Sequence, residues 1–215
     1  VRVYLAGSKA FGAAVYRMLR DSEHEIAGGC TPPWASDGER RDQLRHLIED
    51  DARAPWLPAG ELNQHTLPDD VDLLVAAHSY DWIGKATRHR CRIGAIGYHP
   101  SLLPRHRGRS SVEWTIRMGD PVAGGSVYWL DDRVDAGNVL CQDWCWVRPG
   151  DTPGELWRRD LFPLGVRLLE QAVTSLNVVG WYPAKPQLEA CATWEPAIDP
   201  PRIRRPDLPE LNPAR

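Results

Sequence analysis

Short apolar runs alternate along this chain with stretches whose apolar residues recur at helical spacing. Val1–Leu5 reads as a first strand, Ala10–Leu19 as an amphipathic helix and His24–Gly29 as a second strand. Thr31–Asp37 (TPPWASD) is a loop, and Glu39–Asp51 is a charged helix carrying Arg40, Arg41 and Arg45. A solvated helix face is the plain reading of that helix, and contact with an anionic acceptor the sharper one. Pro55–Pro58 and Leu62–Leu67 hold a short edge strand. Ile93–Tyr98 (IGAIGY) is apolar, Gly-rich and too short for a helix, so it predicts a buried strand. Gly125–Leu130 and Val139–Val147 complete the strand set. Asp151-Thr152-Pro153-Gly154-Glu155 opens a helix with Thr as N-cap, Pro at the first position and Glu closing the box. Leu156, Leu161, Val166, Leu169 and Val173 give that helix an apolar side, with a kink expected at Pro163. The alternation predicts an α/β fold with a mostly parallel sheet flanked by helices.

After Trp181 the pattern stops. Pro183–Arg215 holds eight of the chain's 19 prolines and predicts an extended strap, with Trp194 and Ile203 pinning it to the body or to a second subunit in a homodimer. The expected organisation is one catalytic domain over 1–180 and a Pro-rich strap over 181–215, without a separate C-terminal barrel.

At 215 residues the chain can bury a sizeable core, and its net charge of −3 argues against nucleic acid as a bulk partner. Five scattered cysteines suggest a reducing compartment rather than a disulfide framework. Cys141 and Cys145 share a strand face, yet no further ligand completes a zinc set, so buried packing is expected and no metal site. With no apolar run of membrane-spanning length and no signal peptide before the first strand, the expected location is the cytoplasm.

The chemistry concentrates in Tyr98–Gly108 (YHPSLLPRHRG) and in Asp135-Ala136-Gly137, which begins 27 residues beyond Gly108. His99 sits where a strand leaves the sheet, on a loop that Pro100 and Pro104 stiffen and Gly108 closes. Ser110-x-x-Glu113 reads as a capping box for a short helix toward Met118. A lone histidine is usually satisfied by nearby backbone; here the proline-fixed loop and the basic residues beside it make chemistry an equal reading. Asp131 and Asp132 read as a solvated turn, whereas Ala136-Gly137 lets the backbone at Asp135 approach what its carboxylate faces. A carboxylate beside an imidazole favours the imidazolium, which can polarise a carbonyl. Local spacing does not bring the two residues together.

Taken together, YHPSLLPRHRG, Trp114–Asp120 (WTIRMGD), Asp131-Asp132-x-x-Asp135-x-Gly137 and Gly7–Gly12 (GSKAFG) resemble the signature of the folate-dependent formyltransferase-fold family, in order and spacing, over roughly residues 1–176. The similarity is strongest to the hydrolase domain of 10-formyltetrahydrofolate dehydrogenases, then to methionyl-tRNA formyltransferases. The resemblance implies a Rossmann-like domain that takes 10-formyltetrahydrofolate as formyl donor, without a metal, in a cleft at the carboxyl ends of the strands. His99 would stabilise the oxyanion of the formyl carbonyl, and Asp135 would orient His99 and the attacking nucleophile. Asp72–Ile83 would be strand plus loop, with backbone around Ala77, His78, Ser79, Tyr80, Asp81 and Trp82 reading the pterin ring. Ser101 and Gly97 would line the folate site. Arg105, with Arg107 and Arg109, would meet a glutamate tail or an acceptor phosphate. The family's transferases carry Asn two residues before the histidine, and this chain has Gly97 there.

Three functions compete. The first is formyl transfer from 10-formyltetrahydrofolate to a small amine, tRNA being disfavoured by the acidic balance, with hydrolysis to formate and tetrahydrofolate as the enzymatic alternative. The second is a non-catalytic folate-binding module. The third is a nucleotide-binding protein using the Gly7–Gly12 turn, which lacks both GxGxxG and a following Lys-Ser/Thr.

Overall fold

The computed structural model describes residues 1–22, 24–34 and 41–198. In chain order the elements are β1 (Arg2–Gly7), α1 (Lys9–Asp21), β2 (Glu25–Thr31), α2 (Gln43–His46) continued by a π turn over Leu47–Asp51, and β3 (Trp56–Pro58). They continue with β4 (Leu73–Ala77), α3 (Lys85–Arg88), β5 (Gly94–His99), α4 (Ser111–Arg117), β6 (Val122–Trp129) and β7 (Val139–Trp146). The chain then forms α5 (Pro153–Leu156), a π turn over Trp157–Leu161 and α6 (Phe162–Val179).

The seven strands form one sheet in the order β3-β2-β1-β4-β5-β6-β7. The first five are parallel, and β6 and β7 are antiparallel to their neighbours. Strand order reverses between β1 and β4, which is where open α/β sheets leave a crevice at their carboxyl edge. One face of the sheet carries the main core, where Val3, Leu5, Val75 and Ile96 pack with Phe11, Val15 and Leu19 of α1 and Leu168, Leu169 and Val173 of α6. The other face is closed largely by turns, with Tyr4, Ala27 and Leu74 packing against Leu62, Leu67, Ile83 and Cys91. The Tyr98 ring fills the space between α6 and the sheet. A Cβ at Gly165 would come within 2.5 Å of that ring, so only glycine lets α6 approach so closely.

Several local expectations hold and several do not. Thr152 and Glu155 form the reciprocal capping box. The kink expected at Pro163 is realised as the π turn just before it, which absorbs the missing donor and the ring. Leu62–Leu67 is a turn rather than a strand, held by Asn63 and Thr66. The charged helix begins at Gln43 behind Asp42, and Glu39 and Arg40 lie outside the described residues, as does Ile203. The capping box at Ser110 does not form, because the Ser110 hydroxyl accepts the Ile198 N–H instead. Asp132 is exposed in a bend as expected, and from there it pairs with the buried Arg88 guanidinium. Cys141 and Cys145 pack apart in two apolar clusters, the Cys141 thiol donating to the Leu168 carbonyl. No helix among the described residues is long and apolar enough to cross a membrane.

Candidate active site

His99 ends β5 and Asp135 lies on the loop joining β6 to β7, so the antiparallel step from β5 to β6 brings them together. His99 is 6% exposed. Its Nε2 donates to the His106 carbonyl at 2.7 Å; a carbonyl only accepts, so this nitrogen carries a proton. The other nitrogen, Nδ1, lies 3.6 Å from Asp135 Oδ2. That gap is too long for a hydrogen bond, so one reacting oxygen can be shared between ring and carboxylate. Asp135 has a left-handed backbone (φ 52°), accepts the Gly108 N–H on Oδ2 (2.7 Å) and accepts the Tyr128 hydroxyl on Oδ1 (2.6 Å).

The loop between His99 and Gly108 is fastened from three sides. Ser126 on β6 donates to the Ser101 carbonyl (2.6 Å) and accepts the Leu103 N–H, while Gln142 on β7 donates to the Leu103 carbonyl (2.8 Å). The Leu103–Pro104 peptide is cis. From the C-terminal side, Gln187 donates to the carbonyls of Asp135 and Gly137, and the Trp194 ring lies against Gly108. The His106 N–H donates to Thr193, its ring Nε2 to Asp120 (2.8 Å), and its Nδ1 lies 3.1 Å from Glu195.

This arrangement reassigns several expected substrate ligands. Ser101 is buried and its hydroxyl donates to the Arg105 carbonyl, so it braces the loop instead of facing a ligand. Arg105 pairs with Asp120 at 3.1 Å. Arg107 is buried and spends its guanidinium on Gln187 and Glu189. Arg109 is exposed. Gly97 is not a vacancy, because a Cβ there would meet Leu130 at 3.0 Å and the Tyr128 ring at 3.4 Å.

The loop after β4 sits on the same sheet edge as His99, since β4 and β5 run parallel as neighbours. The Ala77 and His78 carbonyls already accept from Ser8, through its N–H and its hydroxyl respectively. His78 stacks on Tyr80, and both residues are exposed. Ser79 accepts the Asp81 N–H, the Asp81 carboxylate accepts from Gly60 and Cys30, and Trp82 is exposed. At the start of α1, where a phosphate would be cradled, the Lys9 N–H is held by the buried carboxylate of Asp42, 2.9 Å away. That carboxylate also caps α2 through the Leu44 N–H. An anion there would meet a resident negative charge, which removes the nucleotide reading of the Gly7–Gly12 turn. No group of three or more metal-ligating side chains occurs among the described residues. A cleft of about 480 Å³ lined by Arg148, Asp151, Glu155, Arg158 and Arg159 includes none of the residues above.

The residues that sequence reasoning missed are Tyr128, Ser126, Gln142 and His106. Only His106, inside the motif, carried any local signal. The Asp120 pair offers a pH test of this bracing. Burial alone would raise the Asp120 carboxyl, but hydrogen bonds from His106 and Arg105 outweigh it and hold the pKa below the ordinary value. A carboxyl depressed in the folded state contributes its full stability above the unfolded value of about 3.9, and loses it as pH falls through the folded value. Asp120→Asn should therefore flatten the decline of Tm expected in the wild type as pH falls below about 4. An equally steep decline in both proteins would show that the pair carries no pH-linked stability.

The formyl transferase family model matches residues 3–172. The chain is 38% identical over 208 residues to the cytosolic 10-formyltetrahydrofolate dehydrogenase of Pongo abelii, a match spanning 91% of this chain and 22% of that protein. It is 28% identical to the methionyl-tRNA formyltransferase of Alkaliphilus oremlandii, over 80% of this chain and 58% of that protein. Among solved structures, the N-formyltransferase of Helicobacter canadensis, in complex with folinic acid and dTDP-3-aminofucose, superimposes with a TM-score of 0.71. That superposition has 13% identity and covers 91% of this chain and 70% of that one. The chain thus spans about a fifth of the length of its dehydrogenase relatives, and it belongs to the formyl transferase family of enzymes.

Proposed function

We propose that this chain takes 10-formyltetrahydrofolate as substrate and passes its formyl carbon to water. The observation that carries the reading is the buried pair His99 and Asp135, with one imidazole nitrogen committed to backbone and the other turned toward the carboxylate. In the reaction, the formyl oxygen takes a hydrogen bond from protonated Nδ1 while Asp135 accepts a proton from the attacking water. The new C–O bond gives a tetrahedral oxyanion that the pair stabilises, the C–N10 bond breaks as N10 takes the proton held by Asp135, and the formic acid released gives its acidic proton to solvent. The products are formate and tetrahydrofolate, so every atom of the added water is accounted for.

Anionic acceptors are disfavoured by Asp42, whose carboxylate already holds the α1 N-terminus. The sequence similarity to 10-formyltetrahydrofolate dehydrogenases points the same way. The second reading, transfer to a small amine, is kept by the fold shared with a sugar N-formyltransferase.

The test is incubation of the purified chain with 10-formyltetrahydrofolate, following tetrahydrofolate by absorbance and formate by a coupled assay, with no acceptor added. Equal release of both products supports hydrolysis. Tetrahydrofolate formed only when an amine is supplied would replace it with transfer. Failure to bind the donor would reject the folate reading as a whole.

A further inference from the structure

Tyr128 lies on β6 directly opposite Gly97 on β5, and both project to the face that His99 shares. Its hydroxyl is buried and donates to Asp135 Oδ1 at 2.6 Å; a carboxylate only accepts, so the direction of this bond is fixed. The Gly108 N–H takes the other oxygen at 2.7 Å. With one donor on each oxygen, the carboxylate cannot rotate, and Oδ2 is the oxygen left facing His99 Nδ1. The backbone beneath it is held in a left-handed conformation by Gln187, which donates to the Asp135 and Gly137 carbonyls. A Cβ at position 97 would make ordinary contact with the ring at 3.4 Å and press on the flexible end of Leu130 at 3.0 Å.

We infer that Tyr128 is a positioning residue for the reaction. Its hydroxyl sets the plane of the Asp135 carboxylate against His99. The inference rests on the proposed function for its catalytic meaning, but the placement of the hydroxyl can be judged without substrate. The groups facing the Asp135 carboxylate are His99 from β5, Tyr128 from β6 and the Gly108 N–H from the loop, with Asp131 nearby on its own loop.

The experiment compares wild type, Tyr128→Phe, Asp135→Asn and the double variant in formate release from 10-formyltetrahydrofolate. In parallel, crystal structures of ligand-free wild type and Tyr128→Phe give the orientation of the Asp135 carboxylate. The expected result is a kcat lower by about 10- to 100-fold in Tyr128→Phe with KM unchanged, because misorientation of a reacting group costs rate rather than binding. The double variant should be no slower than Asp135→Asn alone, since the hydroxyl acts through that carboxylate. The Asp135 carboxylate should turn out of its wild-type plane in Tyr128→Phe, one of its two fixed donors having been removed. A Tyr128→Phe rate within about twofold of wild type, or the same fractional loss in the Asp135→Asn background, would overturn the inference. If the wild type released no formate, the function would fail on its own. The ligand-free structures would then decide the hydroxyl's role, a rotated carboxylate upholding it and an unmoved one overturning it.

Discussion

His99→Ala is expected to lower formate release from 10-formyltetrahydrofolate by on the order of 1,000-fold while leaving donor affinity within about threefold of wild type. The asymmetry follows from where the imidazole sits. It is buried at the end of β5, anchored by its Nε2 proton to the His106 carbonyl, with only Nδ1 available to the reacting carbon's oxygen. Negative charge develops on that oxygen in the transition state and not in the bound donor, so the interaction that is lost belongs to kcat. Affinity instead depends on the crevice at the carboxyl edge, which the alanine leaves in place. Stopped assays for rate and fluorescence titration for binding separate the two. A variant turning over at the wild-type rate would remove His99 from the chemistry. A variant that lost binding and rate together would make it a folding or docking residue.

Gly137→Ala should be the most damaging small substitution in the chain. A methyl group there would lie 1.8 Å from the Trp129 carbonyl oxygen, a backbone atom at the end of β6 that has no rotamer to escape into. Overpacking ordinarily costs about 1–3 kcal/mol, and a clash with fixed backbone belongs at the upper end. For a domain of this size about 3 kcal/mol corresponds to a Tm lower by roughly 6–12 °C. Asp135 lies two residues upstream on the same loop, so the displacement should carry its carboxylate away from His99 and lower kcat beyond what the lost stability explains. Gly84→Ala is the control. Gly84 has an ordinary φ of −64° and nothing within 4 Å of an added methyl, so its Tm should stay within about 2 °C of wild type. Equal melting temperatures for all three proteins would show that the loop can yield at Gly137.

These effects divide according to how local their causes are. The strands over residues 2–7, 94–99 and 139–146 follow from short β-type runs, and the helix start at Thr152 follows from a cap whose partners are three residues apart. His99 and Asp135 stand out locally for the same reason, because prolines fix the backbone beside His99 and glycine leaves room beside Asp135. Ser101 and Ser110 were misread because a short polar side chain has several partners within reach, and tertiary neighbours chose among them. Arg107 looked like an anion ligand until residues 187 and 189 were folded over it.

By itself, then, the amino-acid order determined which segments become strands and helices, and that a histidine and an aspartate stand on stiff loops. Steric limits on neighbouring residues act within a few positions, and they are written in the local pattern. The tertiary structure alone decided that Tyr128 donates to Asp135 and that Asp42 closes the start of α1. Those contacts depend on strand order and on the antiparallel register of β5 against β6. Both are set by how whole faces bury against each other, which no local window of sequence contains.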